Sequence, residues 1–83
     1  MLPDQQLEQA DMLLNKLIAA PHNELQLSLA YFWKGEITYR LGQELDAINY
    51  FANYLKKPQV NGEVNVQHAK YSLAYCLLKK EDY

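Results

Sequence analysis

At 83 residues the chain has room for one domain, of a size that buries only about 60% of the surface its unfolded form exposes. With 49% hydrophobic and 22% charged residues it is too apolar for intrinsic disorder, and three Gly with three Pro favour long helices over many short strands. A net charge of −2 argues against a general nucleic-acid binder, and one Cys with two His supplies neither an internal disulfide nor a zinc site.

Apolar spacing near 3.6 and the breaks between the runs predict four helices. The first covers residues 4 to 20, with Leu7, Ala10, Leu14, Leu17 and Ile18 on one stripe, Asp4 as its cap and Pro21 as its end. Its most apolar run, Met12 to Ala20, is broken by Asn15 and Lys16 and is far shorter than the roughly 20 apolar residues of a membrane helix. The start Met1-Leu2-Pro3-Asp4 has no basic region before an apolar stretch, so no secretory signal is expected in this chain, and the compartment stays open.

The second helix begins after Asn23, a good cap, and carries Leu27, Ala30, Tyr31, Lys34, Ile37 and Leu41 up to Gly42, which suits a left-handed C-terminal turn. The third spans residues 44 to 57, with Leu45, Ile48, Phe51 and Leu55 inward, Glu44 and Asp46 in its first turn, Lys56 and Lys57 in its last, and Pro58 beyond. Asn61 and Gly62 break the chain before a fourth helix over residues 64 to 80, with Ala69, Leu73, Ala74, Leu77 and Leu78 spaced for burial. Val60, Val64 and Val66 alternate, but they flank Gly62 and make too weak a case for a hairpin.

The helices repeat in alternation. Ala10, Leu14 and Pro21 recur 37 residues later as Ala47, Phe51 and Pro58, and Leu17-Ile18 as Tyr54-Leu55. Ala30, Phe32, Gly35, Ile37 and Arg40 recur 39 residues later as Ala69, Tyr71, Ala74, Cys76 and Lys79. Two alternating helix types at such a period are the mark of a helical solenoid, whereas the core of a unique four-helix bundle, the competing reading, predicts no such pairing.

The central unit reads Tyr31-x2-Lys34-Gly35-x2-Thr38, then Ala47-x3-Phe51, then Pro58. It resembles the tetratricopeptide repeat, W-x2-L-G-x2-Y, A-x3-F, P, matching at Gly35, Ala47, Phe51 and Pro58 and departing at Lys34 and Thr38. The lengthened repeats look like those of bacterial envelope repeat proteins. The resemblance implies an all-α, right-handed superhelical array of antiparallel helix-turn-helix repeats. Residues 1–21 would be the second helix of a preceding repeat, 23–58 a complete repeat, and 63–83 the first helix of a following one. Glu81-Asp82-Tyr83 then resembles the turn into a further helix, as in a segment of a longer array.

By the same resemblance the first helices line a concave groove. Leu29, Phe32, Glu36, Tyr39 and Arg40 would face it with His68, Tyr71, Tyr75 and Lys79, as a rigid aromatic surface for a protein or peptide on which Arg40 and Glu36 choose among charged ligands. The competing assignment makes Phe32, Trp33 and Tyr71 packing residues. Family members that clamp a chaperone's C-terminal carboxylate use Lys and Asn at groove positions held here by Phe32, Glu36, Tyr71 and Tyr75, so that clamp is not expected. A structural or self-association unit, with exposed terminal helices pairing between copies, is the alternative function.

Enzymatic function has little support. His68, Ser72 and Cys76 share a helix face, but no third group to orient the base is visible, and residues in a row along an axis do not converge on one substrate atom. Cys76 reads as a small buried hydrophobe. His22 and His68 lie on different segments, which disfavours a metal, and Gly35, Gly42 and Gly62 are too far apart for a phosphate loop. No cofactor is expected. Seven acids and three bases fall in residues 1–46, three acids and five bases in residues 47–83, giving net −4 and +2. Lys56, Lys57, Lys70, Lys79 and Lys80 are read as solvated helix-end cations rather than a nucleic-acid patch.

Overall fold

The computed structural model describes residues 4–62 and 64–81, which fold as α1 (Asp4–Ala19), α2 (Glu24–Arg40), α3 (Glu44–Lys56) and α4 (Val66–Glu81). The cap expected of the Asp4 side chain, the Lys80 side chain, and the turn expected at residues 81–83 from residue 82 onward lie outside the described residues.

Local chemistry sets the helix ends. Asn23 caps α2 by accepting from the Gln26 amide at 2.8 Å, and the Gln26 side chain reaches back to accept from the His22 amide, also at 2.8 Å. At the other end Gly42 takes φ 81°, its amide donates to the Tyr39 carbonyl at 3.1 Å, and the Gln43 amide donates to Thr38 at 2.8 Å. That pair of bonds is the Schellman closure, which needs a residue free to enter the left-handed region. Three residues thus reverse the chain into α3.

The fourth helix starts two residues later than its apolar spacing predicts. Asn65 caps it, accepting from the His68 amide at 2.7 Å, while Val64 is tied back to Asn61 by reciprocal backbone bonds of 2.9 and 3.0 Å around Gly62, at φ 61°. This single antiparallel bridge belongs to no strand, so the described fold is all-α, and Val64 turns into the core.

Each helix packs on the next in sequence, and α4 also touches α2; among the described residues α1 packs on α2 alone. Residue pairs fix the directions. Ser28 meets Lys57, Phe32 meets Tyr54 and Gly35 meets Phe51, so α2 and α3 run antiparallel. Phe32 meets His68, Glu36 meets Ser72 and Tyr39 meets Lys79, so α2 and α4 run parallel, displaced by 36 to 40 residues. The helices form an open succession rather than a bundle closed by contact between α1 and α4.

The core is built on α3. Ala47, Phe51 and Tyr54 are fully buried with Phe32, Ala69, Cys76 and Val64. Phe32 stands edge-on to Phe51 and Tyr54 at 5.9 and 5.4 Å, and full burial of such a side chain stabilises by about 1.5–3 kcal/mol. The Tyr54 hydroxyl donates to the Gln59 carbonyl at 2.7 Å, and Ser28 bridges Lys57 and Gln59, pinning the loop after Pro58 onto α2.

Gly35 permits the closest approach between helices. A Cβ built there would lie 2.9 Å from two ring carbons of Phe51, inside contact distance. The two departures from the repeat pattern flank it. Lys34 is buried with its ammonium on Asp11 of α1 and 5.4 Å from the centre of the Tyr50 ring of α3, so one cation joins three helices. Thr38 is buried with its hydroxyl donating to the carbonyls of Lys34 and Gly35 at 2.7 and 3.1 Å.

Several positions expected inward face solvent. Leu45 is 61% exposed, and on α4 only Ala69 and Cys76 are fully buried while Ala74, Leu77 and Leu78 are exposed, because α4 has α3 and the edge of α2 on one side and no helix on the other among the described residues. On α2 the buried set is Ser28, Ala30, Phe32, Lys34, Gly35 and Thr38, with Leu27, Ile37 and Leu41 half-buried, since three helices pack around it and no one face is dry.

Two measurements follow from this packing. In urea denaturation Gly35→Leu is expected to cost about 1–3 kcal/mol. Gly35→Ala combined with Phe51→Leu should lose less than the sum of the two single variants, by about 0.5 kcal/mol or more; strict additivity would contradict the contact. In thermal melts Lys34→Leu is expected to be neutral or stabilising, whereas Asp11→Ala, which leaves a buried ammonium unpaired, should cost about 1–3 kcal/mol given that Asp11 is partly solvated.

Candidate functional site

Parallel packing brings the solvent-facing sides of α2 and α4 together. Glu36 is the join: its Oε1 accepts from the Ser72 hydroxyl at 3.0 Å and lies 3.2 Å from His68 Nε2. One turn further along, Lys79 sits with Nζ 5.5 Å from the centre of the Tyr39 ring and 3.7 Å from Glu44 Oε1 of α3. Tyr71 and Tyr75, successive turns of α4, have ring centroids 5.2 Å apart, and the hydrogen bond to Tyr75 raises the Tyr71 hydroxyl above its ordinary pKa. Tyr39, Tyr75, Leu78 and Lys79 line an open depression of about 490 Å³.

This geometry divides the residues singled out from sequence. Tyr39, Tyr75 and Lys79 come together, with Tyr71 adjoining and exposed, and Arg40 is exposed in the last turn of α2. Phe32 does not belong to the surface. It is fully buried, with Phe51, Tyr54 and the His68 ring around it, so it supports the site from below. Leu29 is half-buried against the same core. Glu36 and His68 are engaged with each other, which makes Glu36 a strut between helices rather than a free charge. Trp33 and Tyr71, packing residues in the competing assignment, are both exposed.

Leu78 and Glu44 were missed as surface-builders. Leu78 was read as core from its spacing, and only the offset between helices, which puts it beside Tyr39, marks it otherwise. A second cleft of about 260 Å³, between the start of α2 and the end of α3, is lined by Glu24, Leu27, Ser28, Tyr31, Asn53, Lys56 and Lys57. No candidate site residue from the sequence falls there.

The row His68, Ser72, Cys76 acquires a third group in Glu36, which sequence reasoning did not find because it lies 32 residues from His68. The order is wrong for a relay, however. The carboxylate sits between serine and histidine, so each bonds to Glu36, whereas a general base must stand between nucleophile and carboxylate. Cys76 is fully buried, and its thiol pKa is raised, first by burial and then by the nearby Glu44 and Glu36 carboxylates. Among the described residues no three His, Cys, Asp or Glu side chains gather as metal ligands would, and no helix is long and apolar enough to cross a membrane.

Comparison of the chain with family models, curated proteins and solved structures finds no match in any of the three.

Burial and a raised pKa both starve Cys76 of reactive thiolate. Iodoacetamide at pH 8 is therefore expected to label native Cys76 at least about tenfold more slowly than the urea-unfolded chain, read by mass spectrometry. Equal rates would contradict its placement.

Proposed function

We propose that the chain is a non-catalytic protein-interaction module: a segment of a tetratricopeptide-like array with a second helix over 1–21, a repeat over 23–58 and a first helix over 63–83. On this reading the array is right-handed, and α2 and α4 line a concave groove that takes a peptide or a segment of a partner protein. The observation that carries the reading is the joined α2 and α4 surface, where Tyr39, Tyr75 and Lys79 surround an open depression on a base stiffened by Glu36, His68 and Ser72.

The surface suits a particular ligand chemistry. Aromatic rings held by their neighbours offer large contact area with little entropy left to lose. With Glu36 occupied by His68 and Ser72, the charges that remain at the surface are Arg40 and Lys79, both cationic. The fitting ligand is a peptide with an aliphatic or aromatic anchor beside an acidic residue, and selection falls to Arg40 and Lys79 rather than to Arg40 and Glu36.

The test is selection of a random peptide library displayed on phage against the chain, followed by affinity measurement on the purified winners. Enriched peptides are expected to carry that anchor and acid, and to bind Tyr75→Ala at least about tenfold more weakly. Failure to enrich, or winners indifferent to Tyr75→Ala, would overturn the reading.

A further inference from the structure

Two surfaces left open at opposite ends of the helix succession are displaced copies of two surfaces that close on each other in the middle. Moved 39 residues along, the buried Phe32, Gly35 and Thr38 of α2 become Tyr71, Ala74 and Leu77 of α4, all exposed. Moved 37 residues back, the buried Ala47, Phe51 and Tyr54 of α3 become Ala10, Leu14 and Leu17 of α1, all only half-buried, and half-buried Tyr50 becomes Leu13, 59% exposed.

The side of α1 already in use fits the same correspondence. Asp11, which meets Lys34 of α2, answers to Ile48 of α3, and Lys34 answers to Leu73 of α4, both of which pack against the core. Thus α1 makes the contact with α2 that α3 makes with α4, and lacks the one that α3 makes with α2.

We infer that a second copy of this chain covers α4: α1 of one copy packs on α4 of the next in the geometry of α3 on α2, so that copies stack head to tail. Shape agrees. Gly35 must lack a side chain because the Phe51 ring stands against it; at the corresponding place Ala74 gains a methyl group opposite Leu14, which has no ring. Charge agrees as well, since the acidic half of one copy, net −4, meets the basic half of the other, net +2. The transferred register sets Glu8 of one copy near Lys79 of the other. It also sets Lys16 near Lys70, because their counterparts Asn53 and Tyr31 line one cleft; this like-charge pair is the weak point of the interface.

An interface between two different surfaces does not close on itself, so association continues beyond the dimer. The inference needs no groove ligand and stands or falls apart from the peptide reading.

Sedimentation equilibrium on the chain, carried to millimolar concentration, tests it. The weight-average mass is expected to rise with concentration without a plateau at the dimer. Leu13→Asp blocks the α1 surface and Tyr71→Asp the α4 surface, both at exposed positions where folding, checked by circular dichroism, is retained. Each variant alone should be monomeric, and an equimolar mixture should form a 1:1 dimer that grows no further. Lys16→Glu should tighten association of the parent chain severalfold, a readout that survives if either blocked variant fails to fold. A chain monomeric at millimolar concentration, a closed dimer, self-association of either blocked variant, or indifference to Lys16→Glu would overturn the inference.

Discussion

The architecture turns on one missing side chain. At Gly35 the backbone of α2 lies against the ring of Phe51, closer than any Cβ would allow, and this approach seats the fully buried rings of Phe51 and Tyr54 against Phe32. The turn at Gly42 brings α3 back along α2 in the register the contact needs. With α3 fixed, Ala69 and Cys76 of α4 have a surface to bury on, and α4 settles parallel to α2. A side chain at position 35 would push α3 outward and move α4 with it.

Polar groups finish what the aromatic core begins, and each acts between helices. Lys34 and Asp11 link α1 to α2, Glu36 links α2 to α4 through His68 and Ser72, and Ser28 with Tyr54 fastens the loop after α3. Buried groups of this kind contribute little net energy when paired but are costly when unpaired, so they disfavour alternative registers. The surface of Tyr39, Tyr75 and Lys79 inherits that definition from the packing beneath it.

The sequence made the punctuation legible because single residues decide it: Asn23 as a cap, Gly42 in a left-handed turn, and Pro21 and Pro58 just beyond helix ends. The internal offset was legible too, and it anticipated that α2 and α4 would present matching sides. Illegible were features that depend on distant partners. Nothing near Lys34 announces Asp11, 23 residues earlier, and nothing near Glu36 announces His68. Phe32 was placed on the surface because it lies one turn from Glu36, yet the rings of Phe51, Tyr54 and His68 enclose it. The α4 start was misread because Val64 belongs to the core without being helical, and the Asn65 cap was overlooked.

The central claim is an open helix succession in which α4 lies beside α2 and away from α1. The most direct test is a nuclear Overhauser experiment on a dilute sample with labelled Phe, His, Gly and Leu. The account predicts cross-peaks from the Phe51 ring to the Gly35 α-protons and from the Phe32 ring to the His68 ring, and none joining Leu7 or Leu14 to Leu73, Leu77 or Leu78. Cross-peaks between those leucines of α1 and α4 within one molecule would show a closed bundle and contradict it.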